Sequence, residues 1–470
     1  MHSGIYGIGL LVSSILGVLL LPLYTHYLTR ADYGVIETLI AASAVLTILL
    51  RGGISSAFFR FYFDSQDPAR RVTLVRTSFW FTMTSATAGL VAGLLLAEPI
   101  SQLLFDNPNR ASLIRAASIG LWAEMNYEQL ASLFRVEERA VQFVAAAVAN
   151  LLISVSATIL LVVALNKGAL GVLVGNFTGT LTVYLVLLAY RRYQLGLEFD
   201  RELLRRMQRF GLPLVPAGLA VWAVNFIDRF FLVKLSGQAE TGLYSMAVRV
   251  SSVIYFLLIA FRTAWPAFAF SIEDEREAKE TYGYVLTYLS YVACWLSAAL
   301  GLLSPWLVRI LAPSNSAFWP ASRAVPLLAF GTAAFAAYTV VAIGISRIRL
   351  TQFNWVVTGS AAVLNIVLNA ALIPSYGMMG AAIATVAAFV LMFLGASVYA
   401  QRVYPVPYQW RRVVMIAAVA VGLTVVGKLL HASLPAAIAL AAAFPFALAP
   451  LGFYLPEERA RVRSLIVRWR

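Results

Sequence analysis

Cysteine, histidine and charge are all scarce in this sequence. Cys294 is the one cysteine among 470 residues, so no disulfide can form within the chain and no thiol-rich metal site can be built. The three histidines, His2, His26 and His431, are scattered near the ends of apolar runs and offer no catalytic dyad. No GxxxxGK loop closing on Ser or Thr is present, which removes the phosphate cradle of ATP hydrolysis. HExxH, CxxC and GxSxG are absent as well. Charged residues make up 12% of the chain, against about 25% in globular proteins. The solvent for this sequence is therefore mostly lipid. Net charge is +14, but the basic residues fall in alternate loops, which fits membrane topology and not nucleic-acid binding.

What is present is apolar length. Hydrophobic residues reach 61%, with mean hydropathy +0.80. About fourteen apolar runs of roughly 20 to 30 residues follow one another, and 18 or more suffice to cross a ~30 Å hydrocarbon core as a helix. The expected spans are 4–27, 35–63, 72–97, 110–134, 138–165, 168–190, 211–235, 241–271, 281–303, 321–346, 350–373, 377–402, 409–430 and 433–455. The fold class is thus an all-α polytopic membrane protein. The first run begins almost at Met1, is too long for a signal-peptide core and lacks a small-residue cleavage site, so it is expected to be retained.

Loop charge sets the expected orientation. With the N-terminus in the cytoplasm, cytoplasmic segments hold 22 arginines and lysines and the opposite side holds 7. That asymmetry calls for an even number of spans with both termini cytoplasmic. The expected organisation is a six-helix lobe (1–190), a basic amphipathic cytoplasmic linker (191–210), a second six-helix lobe (211–403), and two further helices with a basic cytoplasmic tail (404–470). The linker reads as a solvated connector on the anionic leaflet, the alternative being a headgroup or partner site. Ser271–Glu280 (SIEDEREAKE) reads as a solvated helix extension.

An internal repeat supports two related halves. Ala31-Asp32-Tyr33-Gly34-Val35 follows the first run, and Ala239-Glu240-Thr241-Gly242-Leu243 follows the seventh, 208 residues later. Each opens a stretch of about 30 residues ending in aromatics, Phe58–Phe63 in one and Trp265–Phe270 in the other. Parallel repeats about an axis along the membrane normal are a recurring transporter design.

Ionisable residues inside apolar runs carry the remaining signal. Such a charge costs ~3 kcal/mol or more in hydrocarbon and faces a partner or a wet cavity. Arg51, followed by Gly52-Gly53, is the clearest case: either it pairs with an acid for structure or it forms a cationic cavity wall. The two glycines allow close helix approach or a bend. Arg262 lies at similar depth once shifted by the repeat offset, which makes it a second cavity candidate. Arg249 is 13 residues earlier in the same run, about 140° away around an ideal helix, with Pro266 available to bend it. Arg60, opposite Arg51 on a continuous helix, reads as snorkelling to headgroups or as a further cavity residue. Asp228-Arg229 interrupts the seventh run; by depth Asp228 is in reach of Arg249, for structural pairing, gating or ion coupling. Glu124 and Glu128, one turn apart, either neutralise Arg115 or Arg135 or couple transport to H+ or Na+. No metal or other cofactor is expected. Guanidinium groups offer phosphate a planar fork of donors and stay charged at neutral pH, so a cavity walled by arginines suits an anionic phosphate headgroup.

Three stretches give the chain a resemblance to a known superfamily. They are Leu28-Thr29-Arg30-Ala31-Asp32-Tyr33-Gly34; Asn225-Phe226-Ile227-Asp228-Arg229-Phe230-Phe231 with Gly237, Gly242, Tyr244 and Arg249; and Leu372-Ile373-Pro374-Ser375-Tyr376-Gly377-Met378-Met379-Gly380-Ala381-Ala382. With them the chain resembles the multidrug/oligosaccharidyl-lipid/polysaccharide exporters, in particular the polysaccharide transporters of the O-antigen flippase type. The resemblance implies two six-helix lobes in a V, with helices one, two, seven and eight lining a cationic cavity. It implies transport of an undecaprenyl-pyrophosphate-linked oligosaccharide across a bacterial inner membrane by alternating access, driven by an ion gradient. Membrane lipids, and the polymerase and chain-length proteins of the pathway, are the implied partners. In related peptidoglycan lipid flippases a second-helix arginine faces the cavity, and Leu49-Leu50-Arg51 is similar to that stretch. Three competing readings remain: a drug or metabolite exporter of the same superfamily, a cell-wall lipid flippase, and a membrane-embedded polysaccharide polymerase, ligase or glycosyltransferase. The exporter would place carboxylates in the cavity, and the enzyme would need a sizeable outer loop.

The charge asymmetry makes a direct prediction. Single cysteines placed in 191–210 should react with a membrane-impermeant maleimide only from the cytoplasmic side; reaction from outside would overturn the orientation.

Overall fold

The structure, a computed structural model, describes residues 20–65, 67–348, 352–456 and 458. Among these it contains 18 α-helices and no strand. Helices suit a bilayer, because each satisfies its backbone polar groups within its own segment. In chain order the helices are α1 (Leu21–Tyr27), α2 (Arg30–Arg51), α3 (Ile54–Asp64), α4 (Pro68–Leu95), α5 (Ala97–Phe105) and α6 (Ala111–Val136). Next come α7 (Ala140–Ile159), α8 (Gly168–Arg191), α9 (Arg201–Gly211), α10 (Val215–Leu235), α11 (Gln238–Ser251) and α12 (Val253–Ser271). The last six are α13 (Glu275–Leu311), α14 (Val325–Arg347), α15 (Gln352–Tyr376), α16 (Met378–Val403), α17 (Trp410–Leu429) and α18 (Leu434–Ala447).

Among the described residues, 10 helices are long and apolar enough to cross a membrane. The other expected spans differ for physical reasons. The run at 4–27 lies largely outside the described residues. That at 110–134 is α6, a full-length helix carrying Arg115, Glu124, Glu128 and Arg135. The run at 241–271 is two helices, α11 and α12, parted at Ser252. Pro266 sits inside α12 without ending it. The run at 433–455 is helical over the 14 residues of α18, with turns beyond. The run expected at 35–63 is also divided: Gly52 and Gly53 both take left-handed backbone, φ 50° and 74°, ending α2 at Arg51 and starting α3 at Ile54.

The described chain forms two compact units, and each has its own packing. The first runs to Ser245 and adds Ala312–Ala317 and Ile366–Ala381. Within it α8 packs on α6 and α7, α4 on α6, and α2 on α10. Ile54, Phe58, Leu74, Phe79, Leu130, Phe134, Tyr184, Leu203 and Met207 make its main core, joining α3, α4, α6, α8 and α9. The segment between α8 and α9 is tied down. Arg191 is 2% exposed and meets Glu137 through two hydrogen bonds of 2.9 and 2.8 Å. Glu198 accepts from Thr73 at 2.7 Å and Arg76 at 2.8 Å, and these bonds hold its carboxyl below the usual carboxylate range. Asp200 caps α9, whose Leu203 and Met207 are buried while Arg201, Arg205, Arg206 and Arg209 stay exposed.

The second unit comprises Met246–Leu311, Phe318–Asn365 and residues from Ala382 on. Its axis is α13, 37 residues long, or about 55 Å, with α14, α17 and α18 packed along it. The stretch 271–280 is therefore not one helix extension. α12 stops at Ser271, and Glu275 opens α13, bonded to Arg347 at 2.9 Å and Tyr404 at 2.6 Å. Arg412 holds Glu458 at 2.9 and 3.0 Å and lies 4.3 Å over Phe453, which staples the segment after α18 to α17.

Lipid tails are as apolar as leucine, so helices in a bilayer associate by close packing of small residues. On α8, Gly171, Gly175 and Gly179 recur every four residues; Gly175 and Gly179 face α7, and Gly171 meets the Leu161 backbone just beyond it. A Cβ at Gly175 would meet the Thr158 backbone at 2.5 Å. Gly175→Leu should therefore cost about 1–3 kcal/mol as an overpacked contact, measured by reversible unfolding in detergent. Gly359→Leu, where nothing stands within 4 Å of the added carbon, is the control expected to change little.

Candidate functional site

The two repeat sequences begin their helices in register. α2 starts at Arg30 and α11 at Gln238, separated by the repeat offset. Thr29 caps α2 and Asp32 completes a capping box, with Asp32 N–H donating to Thr29 Oγ1 at 3.1 Å and Thr29 N–H to Asp32 Oδ2 at 3.2 Å. Gly34 and Gly242, equivalent by the repeat, are in mutual backbone contact. A Cβ on Gly34 would overlap the Gln238 carbonyl and stand 2.9 Å from Gly242 N. A Cβ on Gly242 would overlap the Arg30 carbonyl and stand 3.2 Å from Gly34 N. The contact is reciprocal, as around a two-fold axis. Polar contacts surround it: Lys234 Nζ to Asp106 at 2.8 Å, Met378 N–H to Glu240 Oε2 at 3.2 Å, and Asn315 Nδ2 to the Thr25 carbonyl at 3.1 Å.

One turn below the crossing lies a buried charge cluster. Asp228 and Arg229, 1% and 4% exposed, pair with each other at 2.8 Å on α10. Tyr244 of α11 donates its hydroxyl to Asp228 Oδ2. Arg229 also donates to the Asn225 carbonyl at 2.5 Å and lies 5.2 Å over Phe226. Glu37 of α2, 8% exposed, adds a second negative charge in electrostatic reach of Arg229. Asp228 thus engages its own neighbour and a tyrosine. Arg249 lies half-buried near the end of α11, three residues before the Ser252 break.

At the opposite end of α2, Arg51 is 15% exposed and reaches Glu128 Oε2 at 2.5 Å and the Met125 carbonyl at 3.3 Å. Its Nε is buried without a partner. Glu124, one turn before Glu128 on α6, lies in electrostatic reach of both. The carboxylates therefore face Arg51, whereas Arg115 pairs with Glu98 at 3.3 Å and Arg135 lies 5.0 Å over Phe59. The Leu50 carbonyl, near the helix end, accepts from Ser85 at 2.5 Å. Both expected uses of the glycine pair occur. The helix breaks there, and Gly53 meets Gly211 backbone to backbone. Because α3 is a separate helix, the angle between Arg60 and Arg51 on one continuous helix does not apply. Arg60 is 57% exposed, 3.6 Å from Asp64 and 4.5 Å over Phe210 of α9.

Arg262 belongs to the second unit. It is exposed on the apolar helix α12, with its guanidinium 5.5 Å over the Phe335 ring of α14. Among the described residues no carboxylate lies within ion-pair distance of it. The break at Ser252 places Arg249 and Arg262 on different helices, so the angle expected between them on one helix also lapses.

Residues 25–316, more than half of the chain, match the family described as polysaccharide biosynthesis protein. The chain belongs to that family. A lipid II flippase, MurJ, in an inward closed conformation has a similar fold, with a TM-score of 0.77 at 14% identity, covering 94% of this chain and 98% of that one. An inward-facing multidrug resistance MATE family transporter of the MOP superfamily is similar at TM-score 0.64 and 15% identity, over 87% and 95% of the two chains. A MOP superfamily transporter from Pyrococcus furiosus, described as having a binding pocket of reverse polarity, is similar at TM-score 0.55 and 14% identity, over 85% and 94%. No curated protein matches the sequence. Family and fold together describe a polysaccharide biosynthesis protein whose fold is similar to those of a lipid flippase and of multidrug transporters.

The motifs of this family member now have physical roles. The first stretch is a helix cap plus the Gly34 contact. The second holds the Asp228–Arg229 pair. In the third, Gly377 turns the chain at φ 52° between α15 and α16, and Glu240 of the second repeat caps the following helix. The reasoning from residues missed the Gly34–Gly242 contact and the parts played by Glu37 and Tyr244. The signal was in the repeat itself, where the glycine recurs at one place in both copies.

The crossing tolerates no side chain, so Gly34→Leu should force it apart. Cysteine placed at Thr38, which is fully buried, should then react several-fold faster with an impermeant maleimide than in the Gly34 background. Unchanged labelling would show that the two helices do not need this contact.

Proposed function

We propose that this protein flips an undecaprenyl-pyrophosphate-linked oligosaccharide repeat unit from the cytoplasmic to the periplasmic leaflet of a bacterial inner membrane. The product feeds assembly of a surface polysaccharide: O-antigen, capsule or exopolysaccharide. Family membership and the flippase fold support the class of activity. Arg262 is the observation that carries the substrate chemistry. An exposed guanidinium on an apolar helix, with no carboxylate to neutralise it, costs several kcal/mol unless it faces water or an anionic ligand. Diphosphate is the anion that its planar fork fits.

In this reading Arg51, Arg262 and Arg249 line one cavity between two six-helix lobes, 1–190 and 211–403, joined by the linker 191–210, with Arg60 near its mouth. Arg51 is held by Glu128, so an incoming diphosphate competes with one half-exposed carboxylate. Glu128 and Glu124, once released, are placed to take up H+ or Na+ and so couple the gradient to the substrate. The Asp228–Arg229–Tyr244 cluster beside the Gly34–Gly242 crossing acts as the closed outer gate. Both termini lie in the cytoplasm. The polymerase and chain-length proteins of the pathway would receive the flipped unit. A drug exporter would leave its carboxylates open for a cation, whereas here Glu128 is already met by an arginine.

Arg51→Ala and Arg262→Ala should each abolish surface polysaccharide at normal expression level. Arg51→Ala also leaves Glu128 unpaired, so the Arg51→Ala, Glu128→Gln double variant separates folding from transport; it should remain inactive. Wild-type polysaccharide in both single variants would refute the cavity assignment.

A further inference from the structure

The first unit carries a groove that the transport path does not use. It runs between α6 and α8, has a volume of about 360 Å³, and is lined by Arg115, Ile119 and Ala123 on one side and Val174, Phe177 and Leu181 on the other. Ser112 and Thr178 are its other polar residues. Both helices begin at the same membrane face, and the lining runs eleven residues down each. At 1.5 Å per residue that is ~16 Å, half of a ~30 Å hydrocarbon core. The groove is as deep as one leaflet. Its wall is fixed by Gly120, where the Phe177 ring occupies the space a Cβ would need.

Charge stands only at the rim. Arg115 is 48% exposed and gives one nitrogen to Glu98 at 3.3 Å, on a carboxylate itself 68% exposed. Among the described residues the rest of its fork of N–H donors meets no protein acceptor, and an arginine near a helix start extends toward the headgroup layer. Below it the lining is apolar, with Ile119 and Val174 exposed. A phosphate at the rim with a single leaflet-length chain beneath it matches this charge and depth. A polyprenyl chain, much longer than a leaflet, does not.

We propose that the α6–α8 groove is a structural lipid site for an anionic glycerophospholipid, with one acyl chain between Ala116 and Leu181 and the headgroup phosphate on Arg115. The test is native mass spectrometry of the full chain, delipidated in detergent and titrated with phosphatidylglycerol or phosphatidylcholine of the same acyl chains. The wild type should retain one phosphatidylglycerol per chain with at least fivefold preference over phosphatidylcholine. Arg115→Gln should remove the preference. Val174→Trp, which fills the groove, should lower retention of both lipids. Glu98→Gln, which removes the competing carboxylate, should keep or raise phosphatidylglycerol retention, so the proposal stays testable if Arg115→Gln folds poorly. A wild-type preference surviving in Arg115→Gln would overturn it. So would undiminished retention in Val174→Trp, loss of retention in Glu98→Gln, or a polyprenyl phosphate as the species copurifying at this site.

Discussion

The contact between Gly34 and Gly242 is the constraint around which the first unit is arranged. Two helices that start 208 residues apart meet there with no side chain between their backbones. That proximity lets α10 lie along α2, with the Trp222 indole donating to the Ala41 carbonyl at 2.9 Å. It also brings Glu37, Asp228, Arg229 and Tyr244 into one buried cluster. Charges so deeply buried repay their desolvation only when every partner is in place. The cluster therefore exists because the glycines let the helices close. Where backbones touch and Asp228 is paired with Arg229 and Tyr244, separating the helices would break both sets of contacts at once.

The other end of α2 obeys a different rule. A pair of left-handed glycines stops the helix at Arg51 and leaves a cation at its C-terminus, where the helix dipole favours positive charge. Glu128 meets that cation from α6 with its side chain 46% exposed. A pair so open is weakly held compared with the Asp228–Arg229 pair, which is 1% and 4% exposed. One α2 helix thus carries a tight buried ionic cluster near its start and a loose, competable ion pair at its end. In the function proposed above, that asymmetry suits an alternating-access carrier, whose gate should hold firmly and whose binding site should yield.

Much of this was legible in the sequence. The apolar runs announced helices because about 20 apolar residues match one helical crossing and are too long for a membrane strand, and α4, α7, α8 and α14 fall close to where their runs predicted. The repeat pointed to paired halves, and the glycines after Arg51 pointed to a break or a close approach. What the residues could not show is which acid meets which arginine. Glu128 was weighed against Arg115 and Arg135 because depth along a helix was the only coordinate in hand. Rotation around α6, which the sequence does not give, turns Glu128 to Arg51. The same limit hid the Ser252 break: no proline or glycine marks it, and the Pro266 that looked like a bend lies within an unbroken α12. Arginines in the linker were read as one class, yet Arg191 is buried on Glu137 while Arg201, Arg205, Arg206 and Arg209 are exposed. Positive charge outside the membrane sets orientation statistically, and packing then takes individual members of the set for structure.

Arginine is the common thread, and its surroundings sort its uses. Arg191, Arg229 and Arg412 are buried, each meets a carboxylate and each lies over an aromatic ring; these hold helices together. Arg51 also meets a carboxylate, but that partner, Glu128, is half-exposed. Arg262 has a ring beneath it and, among the described residues, no carboxylate within ion-pair distance. As the acid is withdrawn, the free energy that a neutralising anion could recover grows, because a guanidinium in a low-dielectric wall interacts far more strongly with a diphosphate than one in water does. On this scale the arginines with the fewest protein partners are the ones with the most to gain from a ligand. Arg262, on an apolar helix with only a ring for a partner, lies toward that end, and the function proposed above leans on it for this reason.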